Sequence, residues 1–154
     1  MSASSLVNVV QWGINVYQPN GLDTAFKFCD NAAMTATDAP NLSACLSLFE
    51  TFYRFGKNAK VMNQVGLIKW DVSAITDFYS TFEDAYISNV TTEQGFTNWD
   101  VSNANRMYSM FRNTSVFDQD ISGWAVANVT NCANFKANSA LTAPNTPNFT
   151  SCTP

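Results

Sequence analysis

Trp99-Asp100-Val101-Ser102-Asn103-Ala104-Asn105-Arg106-Met107-Tyr108-Ser109-Met110-Phe111 is flanked on both sides by weaker copies of itself. Aligned on the tryptophan, the copies share apolar residues three before it, at it, and two, five, eight and eleven or twelve after it. The central copy supplies Phe96, Trp99, Val101, Ala104, Met107, Met110 and Phe111. The copy before it supplies Leu67, Trp70, Val72, Ile75, Phe78 and Phe82, and the copy after it Ile121, Trp124, Val126, Val129, Cys132 and Phe135. The stretch is a repeat unit, and no copy carries a catalytic group in common with the others.

The first half of the template, apolar-x-x-apolar-x-apolar, has the spacing that opens a leucine-rich repeat, where a short strand turns alternate side chains into a shared core. The second half, stepped by three, three and one, has the spacing of one face of a short helix. Each unit therefore reads as strand, turn and helix, and because one unit cannot bury its own apolar face, neighbours must stack. Weaker copies extend the series to about six units. Val9, Trp12 and Ile14 with Leu22, Ala25, Phe28 and Cys29 form one, and Leu42, Cys45, Leu48 and Phe49 supply the helical half of the next. Leu141, Pro144, Thr146, Phe149 and Cys152 form a truncated last one. The expected fold class is α/β, a leucine-rich-repeat-like right-handed solenoid of short strand–turn–helix units with a parallel sheet on one face. A single domain spans 1–154, with an N-terminal capping unit at 1–21, repeats at 22–140 and a truncated C-terminal cap at 141–154.

With 46% hydrophobic residues among 154, the chain has enough apolar mass for a real core. A net charge of −4 with scattered Lys and Arg argues against nucleic acid, because neutralising phosphates needs a clustered basic face. No run of about 20 apolar residues exists to span a membrane as a helix. Met1-Ser2-Ala3-Ser4-Ser5 has no basic residue ahead of Leu6-Val7-Asn8-Val9-Val10, so no secretory signal is visible.

With no histidine in the chain, triad machinery and the usual neutral-pH proton shuttle are missing. The remaining candidates are carboxylates: Glu50, Glu83, Asp84, Glu93, Asp118, Asp120, Asp71 and Asp100. Two of them about 5–9 Å apart would meet the demand of a glycosidase, the remote alternative. Asp71 and Asp100 occupy one repeat position, which fits a turn-holding role, and no enzyme, cofactor or metal is expected. Cys29, Cys45, Cys132 and Cys152 form no C-x-x-C pair. Bridges pairing Cys29 with Cys45 and Cys132 with Cys152 are one reading; four buried thiols on apolar template positions are the other, and the favoured one.

Trp12, Trp70, Trp99 and Trp124 are expected in the core together with Phe82, Met107 and Phe111. Lys69, Asp71, Ser73, Asn98, Asp100 and Ser102 should then point outward from the strand halves, the surface such stacks commonly use for binding. Phe52, Tyr53 and Phe55 read either as an exposed patch or as packing of the insertion between Leu42 and Ile75. Val7, Val9, Trp12, Ile14 and Val16 alternate through the N-terminal half-unit. Five Asn-x-Ser/Thr triplets, beginning at Asn41, Asn89, Asn113, Asn128 and Asn148, read as polar filler of the repeat.

Phe117-Asp118-Gln119-Asp120-Ile121-Ser122-Gly123-Trp124, followed by Val126 and Asn128-Val129-Thr130, resembles the BspA-type leucine-rich repeat of mycoplasma-type surface lipoproteins. Asn98 to Asn103 and Met107 to Phe111 carry the same resemblance, which is specific over about Leu67 to Phe135. It implies a surface-exposed, non-enzymatic protein used for adhesion or protein contact, of a kind found in bacteria, marine microbes and their viruses. The expected function is that of a structural or interaction protein in an assembled particle, such as a virion surface, tail or fibre. Its contacts would be to protein partners, identical copies among them, or to the host surface, and its place the virion or extracellular surface. The alternative is a cell-surface adhesin-like module that recognises protein or glycan.

Overall fold

The computed structural model describes residues 8–12, 18–57, 64–87 and 95–154. Val7, Ile14, Val16, Asn89 and Glu93 lie outside the described residues, as do residues 1–7 and 13–17 of the capping unit assigned to 1–21. Regular secondary structure is sparse. A parallel pair joins β1 (Asn8–Val9) to β2 (Ala33–Met34), α1 is one turn at Gln64–Leu67, and a 3-10 turn covers Phe96–Asn98. The expected α/β solenoid of six strand–turn–helix units with a sheet face is therefore incorrect: among the described residues there is almost no helix and only two short strands.

What the repeats form is a stack of coils made of turns. Ser47, Asp77, Arg106 and Asn131 are bridged in parallel one to the next, marking the same place in four successive coils. After each bridge runs an eight-residue ribbon: 48–55, 78–85, 107–114 and 132–139, with a further one at 22–29. Within a ribbon the N–H groups alternate in their use. Thr51, Tyr53 and Phe55 donate three residues back along their own coil, to Leu48, Glu50 and Phe52. Leu48, Glu50, Phe52 and Arg54 instead donate across to Asp77, Tyr79, Thr81 and Glu83 of the next coil, at 2.8–2.9 Å. The same four cross-links run from Phe78, Ser80, Phe82 and Asp84 to Arg106, Tyr108, Met110 and Arg112. They recur from Met107, Ser109, Phe111 and Asn113 to Asn131, Ala133, Phe135 and Ala137.

An α-helix commits nearly every N–H to its own segment, so sending alternate ones sideways excludes it. The sequence permits this because the segments are short and rich in Ser, Thr and Asn, which are weak helix formers. The alternation requires a left-handed residue at the third and seventh ribbon positions. Thr24 and Phe28, Glu50 and Arg54, Ser80 and Asp84, Ser109 and Asn113, and Asn134 and Asn138 all have φ between 48° and 61°.

The half read as strand is also turns. Trp70, Trp99 and Trp124 donate their backbone N–H to Leu67, Phe96 and Ile121, three residues back, and Ile75, Ala104 and Val129 do so to Val72, Val101 and Val126. Each N–H closes a local turn and is lost to any sheet. The parallel ladder thus runs through the segments whose spacing suggested helices, and the segments that suggested strands are curled.

The core lies between the two halves. Phe26, Phe52, Phe82 and Phe111 stack ring on ring from coil to coil, with centroids 5.4, 5.5 and 5.6 Å apart and planes within 11° of parallel. Trp12, Trp70, Trp99, Trp124, Phe82, Met107 and Phe111 are all buried, and Trp99 and Trp124 lie parallel at 6.3 Å. Their indole N–H groups tie coils together, Trp99 Nε1 donating to the Leu67 carbonyl and Trp124 Nε1 to that of Phe96, both at 2.9 Å.

Cys132 and Cys152 are joined by a disulfide, whereas Cys29 and Cys45 are buried free thiols. Burial pushes both thiols above their ordinary range, keeping them protonated. Thiol titration of the native chain should accordingly give no fast reaction, two reactive thiols per chain in denaturant, and four after reduction. Four thiols in denaturant without reductant would exclude the bridge.

Candidate interaction face

The residues expected to form the binding face lie on the turn halves. Lys69, Asp71, Asn98 and Asp100 are exposed, and Ser73 and Ser102 are half-buried. Several of their polar groups are engaged locally. Asp71 Oδ1 accepts from the N–H and hydroxyl of Ser73 at 3.1 and 2.6 Å, and Asp100 Oδ1 from the N–H of Ser102 at 3.0 Å. Asp120 and Ser122 repeat the arrangement. These are side-chain caps on turns, a standard use of Asp followed two residues on by Ser. The Ser102 contacts hold the Asp100 carboxyl below the usual range, as those of Ser122 do for Asp120. Lys69 Nζ donates to the Thr37 carbonyl at 2.7 Å. Asn103 and Asn128 reach back to the carbonyls of Ser73 and Ser102 at 2.8 Å, pegging coil to coil.

The ribbon face is different in kind. The side chain following the first ribbon residue points outward, and in three successive coils it is aromatic: Phe49, Tyr79 and Tyr108. These half-buried rings stack at 4.8 and 5.0 Å with interplanar angles of 11° and 7°. The Arg106 guanidinium sits 4.2 Å from the Tyr79 ring centroid and pairs with Asp77 at 3.1 Å. Further round, Arg112 pairs with Glu83 at 3.1 Å, and Ser80 donates to the other oxygen of Glu83 at 2.6 Å. Toward the N-terminal coil, Phe28 meets Tyr53 edge-on at 5.4 Å between Lys27 and Arg54. Those cations are in turn paired with Glu50 and Asp30, both at 2.5 Å. Burial, then the charges of Glu83 and Asp84, raises the Tyr53 phenol above its ordinary value, so it stays neutral.

Of the chain's three arginines, Arg54 and Arg112 lie on ribbons and Arg106 at the bridge position just before one, with Tyr53, Tyr79 and Tyr108 nearby. Phe52 and Phe55, read as one possible exposed patch, are fully buried, while Tyr53 between them is half-buried. The face was readable in principle from the aromatic that recurs directly after Leu48, Phe78 and Met107. A helical reading sets that position on a solvated side and so hides the row.

A cavity of about 150 Å³ lined by Lys57, Asp84, Ala85, Tyr86, Asn113 and Ser115 falls below the roughly 300 Å³ at which ligand pockets begin. Among the described residues no group of three or more acidic, Cys or His side chains is placed to hold a metal ion, and no helix is long and apolar enough to cross a membrane.

The profile of the family described as Mycoplasma protein of unknown function, DUF285, matches residues 20–149, more than four-fifths of the chain. The chain belongs to this family. DUF285 is a family of BspA-like lipoprotein domains, the kind the repeats around Trp99 resemble, and its character as a surface-protein family points to the cell surface. The match opens at the first ribbon and takes in all five, so the Tyr and Arg face lies wholly inside the DUF285 region. No curated protein and no solved structure gives a significant match.

Proposed function

We propose that this chain is a non-enzymatic surface module that binds a protein partner through its ribbon face. The observation that carries the reading is that the stacked Tyr79 and Tyr108, with Arg106 against them, and the ion-paired Arg54 and Arg112 all belong to the ribbon half of the stack rather than the turn half. Tyr and Arg are the residues most enriched where binding energy concentrates, and rings and guanidinium groups already held by stacking lose little freedom on docking. A protein suits this face better than a glycan. Sugar rings stack on open aromatic faces, and the stack takes up both faces of Tyr79 and one face each of Phe49 and Tyr108, so that mainly edges and hydroxyls are left outward. The carboxylates are employed as turn caps and ion-pair partners, which supports a scaffold over a catalyst. A disulfide fits an oxidising location outside the cytosol.

The sequence favoured an assembled particle, with the open ends of the stack or an apolar flank buried against identical copies. At the C-terminal end the turn half is covered by the chain's own segment 141–152, within the truncated cap read from the sequence, with Phe149 edge-on against Phe135 at 4.9 Å. That supports a self-contained module over a virion or fibre subunit.

The test is binding of the labelled chain to an array of extracellular proteins and glycans. Arg106→Ala with Tyr108→Ala should weaken the strongest protein signal at least tenfold, while Lys69→Ala with Asn98→Ala leaves it unchanged. Binding that followed the second pair, or that appeared only on glycans, would overturn the assignment.

A further inference from the structure

The fifth ribbon ends the ladder with its donor side open. By the pattern of the preceding coils, the N–H groups of Cys132, Asn134, Lys136 and Asn138 point toward a coil beyond, and among the described residues nothing accepts from them. At the opposite end the first ribbon has the matching acceptors. In later coils the carbonyls of Asp77, Tyr79, Thr81 and Glu83 receive the preceding ribbon. Their counterparts Gly21, Asp23, Ala25 and Lys27 receive no backbone N–H among the described residues. Four donors at one end and four acceptors at the other, in the same register, fit a head-to-tail contact between two copies. Such a contact does not close on itself and would run on into fibres.

Two features stand against it, both at the donor end. The column Phe26, Phe52, Phe82, Phe111 is broken in the fifth ribbon, where the ladder places Lys136 at the equivalent position, its Nζ donating to the Leu141 carbonyl at 3.3 Å. The segment 141–152 then lies where the turn half of an added coil would sit. It is fixed by the Cys132–Cys152 bridge, by Asp118 Oδ1, which accepts from the Thr142 N–H, the Thr142 hydroxyl and Asn145 Nδ2 at 2.8–3.0 Å, and by the Ile121 N–H to Asn145 carbonyl bond. Phe149 fills the space over Phe135.

We propose that Lys136 and the tethered segment 141–152 form a stopper that keeps the first coil of a second copy of this chain off the fifth ribbon. The excluded partner is specified by the chain's own coil-to-coil interface, continued by one step, and is independent of whatever the ribbon face binds. An inward lysine at a sheet-like edge and a covering segment are two known ways of blunting such edges, and here they act at one end together.

Sedimentation of the full chain tests this together with amide exchange at 132, 134, 136 and 138. The native chain is expected to be a monomer with those four amides exchanging fast. Lys136→Phe combined with Cys152→Ser should give a mass that rises with concentration in steps of one chain, the four amides slowing at least tenfold in the assembled fraction. If Cys152→Ser prevents folding, as near-ultraviolet circular dichroism would reveal, Lys136→Phe with Phe149→Ala keeps the bridge and should show the same protection at higher concentration. Folded variants that stay monomeric, or aggregates in which the four amides remain fast, would overturn the proposal.

Discussion

Phe82→Ala should destabilise the chain by about 3–5 kcal/mol, the usual range for truncating a buried phenylalanine. For a chain of this size that corresponds to a fall in melting temperature of roughly 10 °C. Phe82 is fully buried and stands in the middle of the ring column, stacked on Phe52 at 5.5 Å and on Phe111 at 5.6 Å, with Phe96 edge-on at 5.4 Å. Its backbone N–H also crosses to Met110, so the residue belongs to the ladder as well as the core. Collapse around the cavity is restricted, because both neighbouring rings are fixed to coils whose spacing the ladder sets. Phe26→Ala, at the end of the column and only partly buried, should cost distinctly less. A thermal melt of the two variants beside the parent decides it. Equal and small losses would mean that the rings pack independently and the column is not the spine of the stack.

The disulfide-tethered segment adds a pH dependence with a definite sign. The Thr142 N–H, followed by Asn145 and the Thr142 hydroxyl, holds the Asp118 carboxyl below its ordinary value. A group depressed in the folded state contributes stability that is complete above its unfolded pKa, about 3.9 for Asp, and is lost as the pH falls below that toward the depressed value. Protection of the Thr142 amide should therefore be constant from pH 7 to 5 and fall below about pH 4. Asp118→Asn should remove that dependence.

The interior could be read from spacing alone, whereas the backbone that carries it could not. In the second ribbon the fully buried positions are Leu48, Thr51, Phe52 and Phe55, spaced zero, three, four and seven, which is also the buried face of a helix. Periodicity reports which side chains face inward, and two different backbones here share one answer. The information that separates them sits between those positions. A helix accepts nearly any residue there, but this ribbon needs two left-handed residues in every coil. Asn134, Asn138 and Asn113 suit that conformation, whereas Phe28, Glu50 and Arg54 conceal the pattern in the earlier coils. The row of rings is hidden from a sequence reading for the same reason. Tyr79 and Tyr108 form a row only once the coils are stacked by cross-links rather than wound separately, and the turn-half residues chosen instead, Asp71 and Asp100, serve as caps. The disulfide was one of two readings, and sequence alone had no means of bringing Cys152 back over Cys132.

Ser80→Val should cost about 3 kcal/mol, from a β-branched residue forced into left-handed backbone and from the loss of a buried hydrogen bond to a charged group. Ser80 has φ 48° and is almost wholly buried, and its hydroxyl donates to Glu83 Oε2 at 2.6 Å, leaving that carboxylate with Arg112 alone once the hydroxyl is gone. The magnitude alone does not separate ribbon from helix, because valine also disfavours helices, so the sign of a second substitution carries the decision. Thr24 is exposed, with φ 55°. In a helix, Thr24→Gly would destabilise by roughly 0.5 kcal/mol, because glycine is the poorer helix former. In the ribbon it relieves about 1–2 kcal/mol of left-handed strain against about 0.5–1 kcal/mol of added chain entropy, so the variant should be as stable as the parent or more so. Denaturant unfolding of Thr24→Gly and Asn134→Gly, both exposed and both at left-handed positions, should therefore show midpoints unchanged or raised. A clear loss at both would restore the helical reading and remove the geometry that lines up Phe49, Tyr79 and Tyr108.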